Sequence, residues 1–107
     1  MKHDAKTLLK AMEQELKQLE LWEPAPPSIE ALSSTTPFCM DTLSMSQWLQ
    51  WIFIPRVQAI LDRGTPLPAG ANMKPYAEEA FTVDGVHCPA LLELIAQFDE
   101  LKRSYFG

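Results

Sequence analysis

The segment from Ser44 to Arg63 constrains what this chain can fold into more than any other part of the sequence. Ser44 and Gln47 form the S-x-x-Q pattern of a helix-capping box, and Gly64 supplies a C-terminal stop. The apolar residues between them spread over about 240° of the helix circumference, whereas a surface helix shows a narrower stripe. They are Trp48, Leu49, Ile52, Phe53, Ile54, Val57, Ile60 and Leu61. The pattern predicts a central helix with neighbours on more than one side.

Pro55 lies in the interior of this predicted helix. A proline removes one helix hydrogen bond, and its ring clashes with the preceding turn. The sequence leaves two outcomes open: one helix kinks at Pro55, or two helices meet there with the proline in the first position of the second. In both outcomes the carbonyl of Trp51 loses its usual donor.

Long amphipathic helices are predicted on both sides of the central one. The first runs from about His3 to Trp22 and ends before Pro24, and the last runs from about Pro89 to Tyr105. Each shows one apolar stripe opposite a charged face, which is typical of a helix that packs on a core with one side.

Two short helices complete the prediction. Over Ser28–Ser33, Ser28 is expected to cap while Ile29 and Leu32 pack inward. Over Pro75–Phe81, the proline occupies the first helical position. No window alternates apolar and polar residues as a strand does. We therefore predict an all-α fold, a single domain over residues 1–107 built as a small helical bundle around a central Pro-kinked helix.

Composition narrows the function classes. The 107 residues are 47% hydrophobic, which is too apolar for disorder, and carry a net charge of −5. An acidic domain repels phosphate backbones and anionic lipid, so we expect neither direct nucleic-acid binding nor a membrane anchor. No apolar run approaches the roughly 20 residues of a membrane span, and no secretory leader is recognisable. Two cysteines far apart in sequence indicate free thiols in a reducing cytoplasm.

Few residues could carry catalysis or bind a metal. His3, Cys39, His87 and Cys88 show no metal-ligand spacing, and no Gly-rich phosphate loop or nucleophile elbow occurs. We therefore expect no enzymatic activity, no metal and no cofactor. The alternative in this class is a thiol-dependent enzyme with an exposed cysteine of low pKa near His87.

Arg56 and Trp51 break the pattern of the central helix. On a straight helix Arg56 falls inside the apolar arc, where a guanidinium must pair with an acid such as Asp41 or Glu78 or extend to water. It is therefore a structural staple, an anion or partner contact, or a residue that the proline turns towards solvent. Trp51 falls on the polar stripe, either as an interface anchor or as a side chain covered by the first helix or the Pro-rich loop. Tyr76 opens the short helix.

Several short motifs between residues 37 and 80 form a recognisable set. They are P-F-C-M-D-T-L at 37–43, W-L-Q-W at 48–51, I-P-R at 54–56, L-P at 67–68 and P-Y-A-E-E-A at 75–80. Together they resemble the YqcC-like family of small gammaproteobacterial proteins, and the resemblance covers nearly the whole chain. Cys39 and the tail after Phe81 depart from the family pattern, so no role is carried over there.

The resemblance implies an all-helical, cytoplasmic domain, some relatives of which are labelled tRNA pseudouridine synthase C. This chain is too short for the mixed α/β fold of a pseudouridine synthase, so an accessory partner of the synthase fits better than catalysis. The family supplies no catalytic residues. The matching positions are candidates for an interface or a structural staple: Asp41, Gln50, Trp51, Arg56, Tyr76 and Glu78.

The leading hypothesis is a non-enzymatic protein-interaction module that docks a tRNA-modification enzyme, with a surface centred on Trp51, Arg56 and Tyr76. The alternative is a small-molecule or anion-binding bundle, with Arg56 as counter-ion in a pocket between the central helix and loop 64–76. A homodimer that buries exposed aromatic residues is compatible with either hypothesis.

Overall fold

A computed structural model describes residues 4–65 and 72–106, with side chains described as far as Leu101. All regular structure in these residues is helical, which confirms the predicted all-α class. The helices are α1 (Ala5–Gln18), α2 (Ile29–Leu32), α3 (Met45–Trp48), α4 (Ile54–Asp62), α5 (Lys74–Val83) and α6 (Pro89–Phe106). A 3-10 turn lies at Pro37–Cys39, and a π-helical turn, Leu49–Phe53, joins α3 to α4. We call the unit formed by α3, the π turn and α4 the central helix.

The central helix passes through Pro55 without leaving helical geometry. Phe53 (φ −64°, ψ −57°) and Ile54 (φ −59°, ψ −50°) both keep helical dihedral angles. The N–H of Ile54 bonds the carbonyl of Leu49, five residues back rather than four. One widened turn just before the proline therefore accommodates the ring, an arrangement that is frequent at functional sites. The predicted capping box is confirmed, because the Gln47 N–H donates to Ser44 Oγ (3.3 Å) and the Ser44 N–H to Gln47 Oε1 (2.9 Å).

Helix α1 is shorter than predicted. Asp4 caps its start, with Oδ1 accepting from the Thr7 N–H at 2.8 Å. It ends at Gln18 rather than near Trp22 because Glu20 adopts a left-handed conformation (φ 61°). The N–H of Leu21 then bonds the Leu16 carbonyl at 2.9 Å, which closes a Schellman turn without the usual glycine. Residues 1–3, where the prediction began, lie outside the described residues.

The core lies between α1, the central helix, α5 and α6. The most extensive packing is between α1 and α6, while α4 packs on α1 and α3 packs on α5. Each of these four helices contributes buried apolar residues, as in the stripe Leu8, Met12 and Leu16 of α1. In the central helix the buried stripe consists of Met45, Leu49, Phe53 and Val57.

Helix α2 departs from prediction on one point. Ser28 caps it as expected, with Oγ accepting from the Ala31 N–H at 3.1 Å, and Leu32 is half-buried. Ile29 does not pack inward, since its side chain is 82% exposed. Positions 29 and 32 lie about 60° apart around the helix axis, and of these two side chains only that of Leu32 is half-buried. In the part of the chain that the structure describes, no helix is both long enough and apolar enough to cross a bilayer.

Helix α5 starts on a cap that comes from α6. The carboxylate of Asp99 accepts from the N–H groups of Met73 and Lys74, both at 2.9 Å. Asp99 is buried, and no side chain within α5 itself caps this end. The position of α5 is thus set by a side chain distant in sequence.

Candidate functional site

Three side chains of the central helix hold Glu23, in the segment between α1 and α2. Buried Gln50 donates from Nε2 to the Glu23 carbonyl and accepts at Oε1 from the Glu23 N–H, each at 2.8 Å. Trp51 donates from Nε1 to Glu23 Oε1 at 3.0 Å. Gln47 donates to both carboxylate oxygens, at 3.3 and 3.2 Å. We call Glu23, Gln47, Gln50 and Trp51 the Glu23 junction, and its geometry fastens the Pro-rich segment to the central helix.

A row of aromatic rings runs from the surface to the core. Tyr76 stacks on Phe38 with 4.5 Å between ring centroids and 7° between planes. Phe38 meets Trp48 edge-on at 5.0 Å, and Trp48 lies 5.3 Å from Phe53. Phe53 meets Phe98 edge-on at 5.0 Å. These are favoured arrangements for aromatic pairs, so the row ties the 37–39 turn and α5 firmly to the core.

The turn that carries Phe38 has an unusual backbone. Phe38 (φ 58°) and Cys39 (φ 50°) both adopt the left-handed region, at a cost of about 1–2 kcal/mol each for residues with a Cβ. The turn is held by the Leu43 N–H, which bonds the Cys39 carbonyl at 2.8 Å, and by Ser34 Oγ, which donates to Asp41 at 2.6 Å. The latter bond lowers the pKa of the Asp41 carboxyl. Backbone strain of this kind clusters at functional sites.

A groove opens between this turn and α5, with a volume of about 380 Å³. Its apolar walls include Met40, Leu43, Ala80 and Val83, and the exposed carboxylates Glu79 and Asp84 also line it. The side chain of Val83 is 79% exposed and that of Met40 is 52% exposed. None of the described lining residues is a lysine or an arginine. We call this feature the α5 groove.

Tyr76 connects the aromatic row to the α5 groove, which it also lines. Burial raises the pKa of Tyr76 above its usual value, and the negative charges of Asp84 and Glu79 raise it further. The phenol therefore lies in the negative field of both carboxylates.

The predicted site residues separate into different places. Gln50 and Trp51 meet at the Glu23 junction, whereas Tyr76 lines the α5 groove. Asp41 belongs to the strained turn, and exposed Glu78 forms an i,i+4 ion pair with Lys74 at 3.7 Å. Trp51 and Tyr76 thus have different partners, and the single surface expected to be centred on Trp51, Arg56 and Tyr76 stays a prediction.

Arg56 is exposed and forms no ion pair with any residue that the structure describes. The structure turns Arg56 towards solvent, which argues against a buried staple, while its role as an anion or partner contact stays a prediction. The expectation that it lies in the apolar arc assumed a uniform 100° per residue, which the π turn violates just upstream. Arg56 does not line the α5 groove, and residues 66–71 of the loop expected to form its anion pocket lie outside the described residues.

Sequence reasoning missed the exposed apolar side chains of the groove. Val83 escaped attention because the predicted helix ended at Phe81, whereas α5 continues to Val83. Met40 follows a turn whose left-handed residues have no sequence signature, since neither is glycine. For Val83 the available signal was an apolar residue outside the stripe of α5 that contains Ala77 and Phe81.

The thiols and histidines form no reactive cluster in residues 4–65 and 72–106. Cys39 and Cys88 are both free and buried, and burial raises the pKa of the Cys88 thiol. His87 is exposed. Within the same ranges, no group of three or more His, Cys, Asp or Glu residues is placed to hold a metal ion.

We expect both thiols to react slowly with Ellman's reagent at neutral pH, because the attacking species is the thiolate and the sulfur atoms are buried. The rate constant should be at least about tenfold lower than for the same protein unfolded in guanidinium chloride. Absorbance at the thionitrobenzoate band measures it. Fast labelling of one cysteine in the folded protein would revive the thiol-dependent alternative.

Together, the helices, the strained turn and the α5 groove define a class: a small all-helical domain with an apolar, acid-lined surface groove. The chain belongs to the DUF446 family, whose model, described as tRNA pseudouridine synthase C, matches residues 4–101. This confirms the YqcC-like resemblance of the sequence motifs.

Individual proteins are also similar in sequence to this chain. The uncharacterized protein YqcC of Escherichia coli is 36% identical over 100 residues, covering 92% of both chains. An uncharacterized protein of Haemophilus influenzae is 45% identical over 80 residues, or 75% of this chain and 76% of that protein. A Pectobacterium carotovorum protein named tRNA pseudouridine synthase C is 44% identical over 57 residues, or 53% of this chain and 15% of its own length.

The fold is also similar to a solved structure. The solution NMR structure of E. coli YqcC matches with a TM-score of 0.68 at 35% identity, and covers 92% of this chain and 81% of that one.

Proposed function

We propose that this protein is a non-enzymatic, cytoplasmic interaction module that binds a protein partner through the α5 groove, and that the partner is tRNA pseudouridine synthase C. The observation that carries the proposal is the groove itself. It exposes two large apolar side chains, Val83 at 79% and Met40 at 52%, on a wall that the aromatic row holds in place. Contiguous exposed apolar surface rimmed by polar groups is typical of protein-interaction sites.

The chemistry of the groove favours binding over catalysis. Its described titratable groups are the carboxyl groups of Glu79 and Asp84 and the phenol of Tyr76, whose pKa is raised by burial and by the two negative charges. Neither buried cysteine lines it, so the groove lacks an activated thiol among the described residues. Apolar walls without a positioned nucleophile suit recognition of another apolar surface.

The choice of partner rests on the relatives. The family description carries the synthase name, and a protein of that name contains a segment similar to this chain within 15% of its length. Most of that protein lies outside the match, so the matched segment accompanies other sequence in a protein named for the synthase. In our proposal the present chain makes the corresponding association with the synthase. Its net charge of −5 favours contact with the enzyme over contact with the tRNA backbone.

The test is isothermal titration calorimetry of this protein against purified tRNA pseudouridine synthase C from the same organism. We expect a saturable complex, and a loss of affinity of about tenfold on Val83→Ser, since roughly 1.4 kcal/mol of apolar contact is removed. Ile29→Ser is the matched control, because Ile29 is equally exposed at 82% but lies on α2, outside the groove. Absence of binding, or equal losses for the two variants, would contradict the proposal.

A further inference from the structure

We infer that the segment bound in the α5 groove is a basic amphipathic helix of the partner, which packs an apolar face on Met40 and Val83 and pairs Lys or Arg side chains with Glu79 and Asp84. The inference rests on the proposed function for this surface and adds the chemistry of the occupant. Three properties of the groove support it: unbalanced charge, the absence of a strand edge in the described chain, and a rigid wall.

Among the described residues, no lysine or arginine pairs with the carboxylates of the groove. Lys74 lies on the same helix, and its ammonium group pairs with the neighbouring carboxylate of Glu78 at 3.7 Å. Glu79 and Asp84 are exposed, and neither forms an ion pair with a residue that the structure describes. Asp84 is also the C-cap of α5, where the helix dipole already presents negative charge. A cation from a partner therefore relieves repulsion as well as adding attraction.

The described chain offers no strand edge to a bound segment, which favours a helical one. No strand occurs in residues 4–65 or 72–106, so a bound peptide has no sheet edge on which to satisfy its backbone. A helix satisfies its own backbone hydrogen bonds and offers only side chains to a groove. The volume of about 380 Å³ suits a few large apolar side chains of such a helix.

The groove wall needs little reorganisation on binding. Tyr76 and Phe38 are stacked at 4.5 Å, and the row continues through Trp48 into the core. The unbranched Met40 is the adaptable element of the wall, because a thioether side chain adjusts to different apolar partners. A fixed wall with one flexible side chain lowers the entropic cost of binding.

The experiment uses the full chain and synthetic peptides as probes. The first peptide, of about 18 residues, places Leu on one helix face and Lys on the other. The second replaces each Lys by Glu, and the third has the composition of the first in a scrambled order. Fluorescence anisotropy measures affinity. We expect binding of the basic amphipathic peptide, at least about tenfold weaker binding of the scrambled one and none of the acidic one.

Location is tested by variants of equal charge. Glu79→Gln combined with Asp84→Asn should weaken the basic peptide about tenfold. Glu30→Gln combined with Glu93→Gln is the control, because these two carboxylates are exposed but outside the groove, and it should change affinity less than about twofold. Amide chemical-shift changes should centre on Met40, Ala80 and Val83. Equal effects of the two double variants, or shift changes elsewhere, overturn the inference.

Other outcomes are equally decisive. If sedimentation shows a dimer that Val83→Ser dissociates, the occupant is a second copy of this chain and the inference is wrong. If the synthase binds wild-type protein and the Glu79→Gln/Asp84→Asn variant alike, the inference fails while the proposed function stands. If the basic peptide binds at the groove but the synthase does not bind, the inference stands and the synthase is removed as the partner.

Discussion

Replacement of Gln50 by alanine is expected to lower the free energy of unfolding by about 3 kcal/mol. Gln50 is 4% exposed, and its amide both donates to and accepts from the backbone of Glu23 at 2.8 Å. The alanine variant leaves the N–H and the C=O of Glu23 without these partners in a part-buried place, and each loss costs about 1–3 kcal/mol. Urea unfolding followed by tryptophan fluorescence measures the change.

Gln58→Ala is the matched control on the same helix. Among the described residues, the Gln58 side-chain amide bonds the Asp62 side chain alone, at 3.0 Å and one turn away in an exposed place. Its loss should cost no more than about 0.5 kcal/mol. Equal destabilisation by the two variants would show that the Glu23 junction contributes nothing beyond side-chain truncation.

Gln50→Glu gives an independent check through pH. A neutral carboxyl group can reproduce both bonds of the amide, whereas the carboxylate cannot donate to the Glu23 carbonyl and lies near the Glu23 charge. The pKa of the introduced carboxyl group is therefore higher in the folded state than in the unfolded state. The stabilisation that this group provides is complete below its unfolded-state pKa and is lost as the pH rises through its folded-state pKa. The difference in free energy of unfolding between wild type and this variant should therefore be smaller near about pH 4 than near about pH 7.

The helices were predictable because their signals are local. The S-x-x-Q capping box, the Gly64 stop and the apolar stripes each involve residues within a few turns, and the structure contains all of them. The predicted end of α1 was wrong because Glu20 adopts a left-handed conformation that the sequence does not signal. Glycine marks such turns at Gly64 and Gly85, whereas glutamate does not.

The Glu23 junction shows what local patterns leave out. Gln50 and Trp51 were identified as an interface or a staple, but their common partner lies 27 and 28 residues away. No periodicity links a proline-flanked glutamate to a glutamine on another element. The α5 groove was hidden for the same reason, since its walls come from the strained turn and from α5, which become neighbours only in the folded chain.

Asp99→Ala is expected to lower the free energy of unfolding by about 3 kcal/mol, with the loss centred on α5. The Asp99 carboxylate is 3% exposed and accepts from the N–H groups of Met73 and Lys74 at 2.9 Å. Loss of a helix cap costs about 0.5–2 kcal/mol, and hydrogen bonds to a charged group contribute about 1.5–3 kcal/mol. Glu93→Ala, an exposed position on the same helix, should change stability by less than about 0.5 kcal/mol.

Hydrogen exchange separates this cap from a general packing defect. Without Asp99, the N–H groups of Met73 and Lys74 lose their acceptor, so these two amides should exchange faster than the amides of α1. Asp99→Asn keeps one acceptor but turns an amide donor towards a backbone donor, so it should recover about half of the lost stability at most. Uniform loss of protection across α1, α5 and α6 would contradict the capping role.

Because Tyr76, Ala80 and Val83 all lie on α5, the Asp99→Ala variant should also bind groove ligands more weakly, although Asp99 does not line the groove.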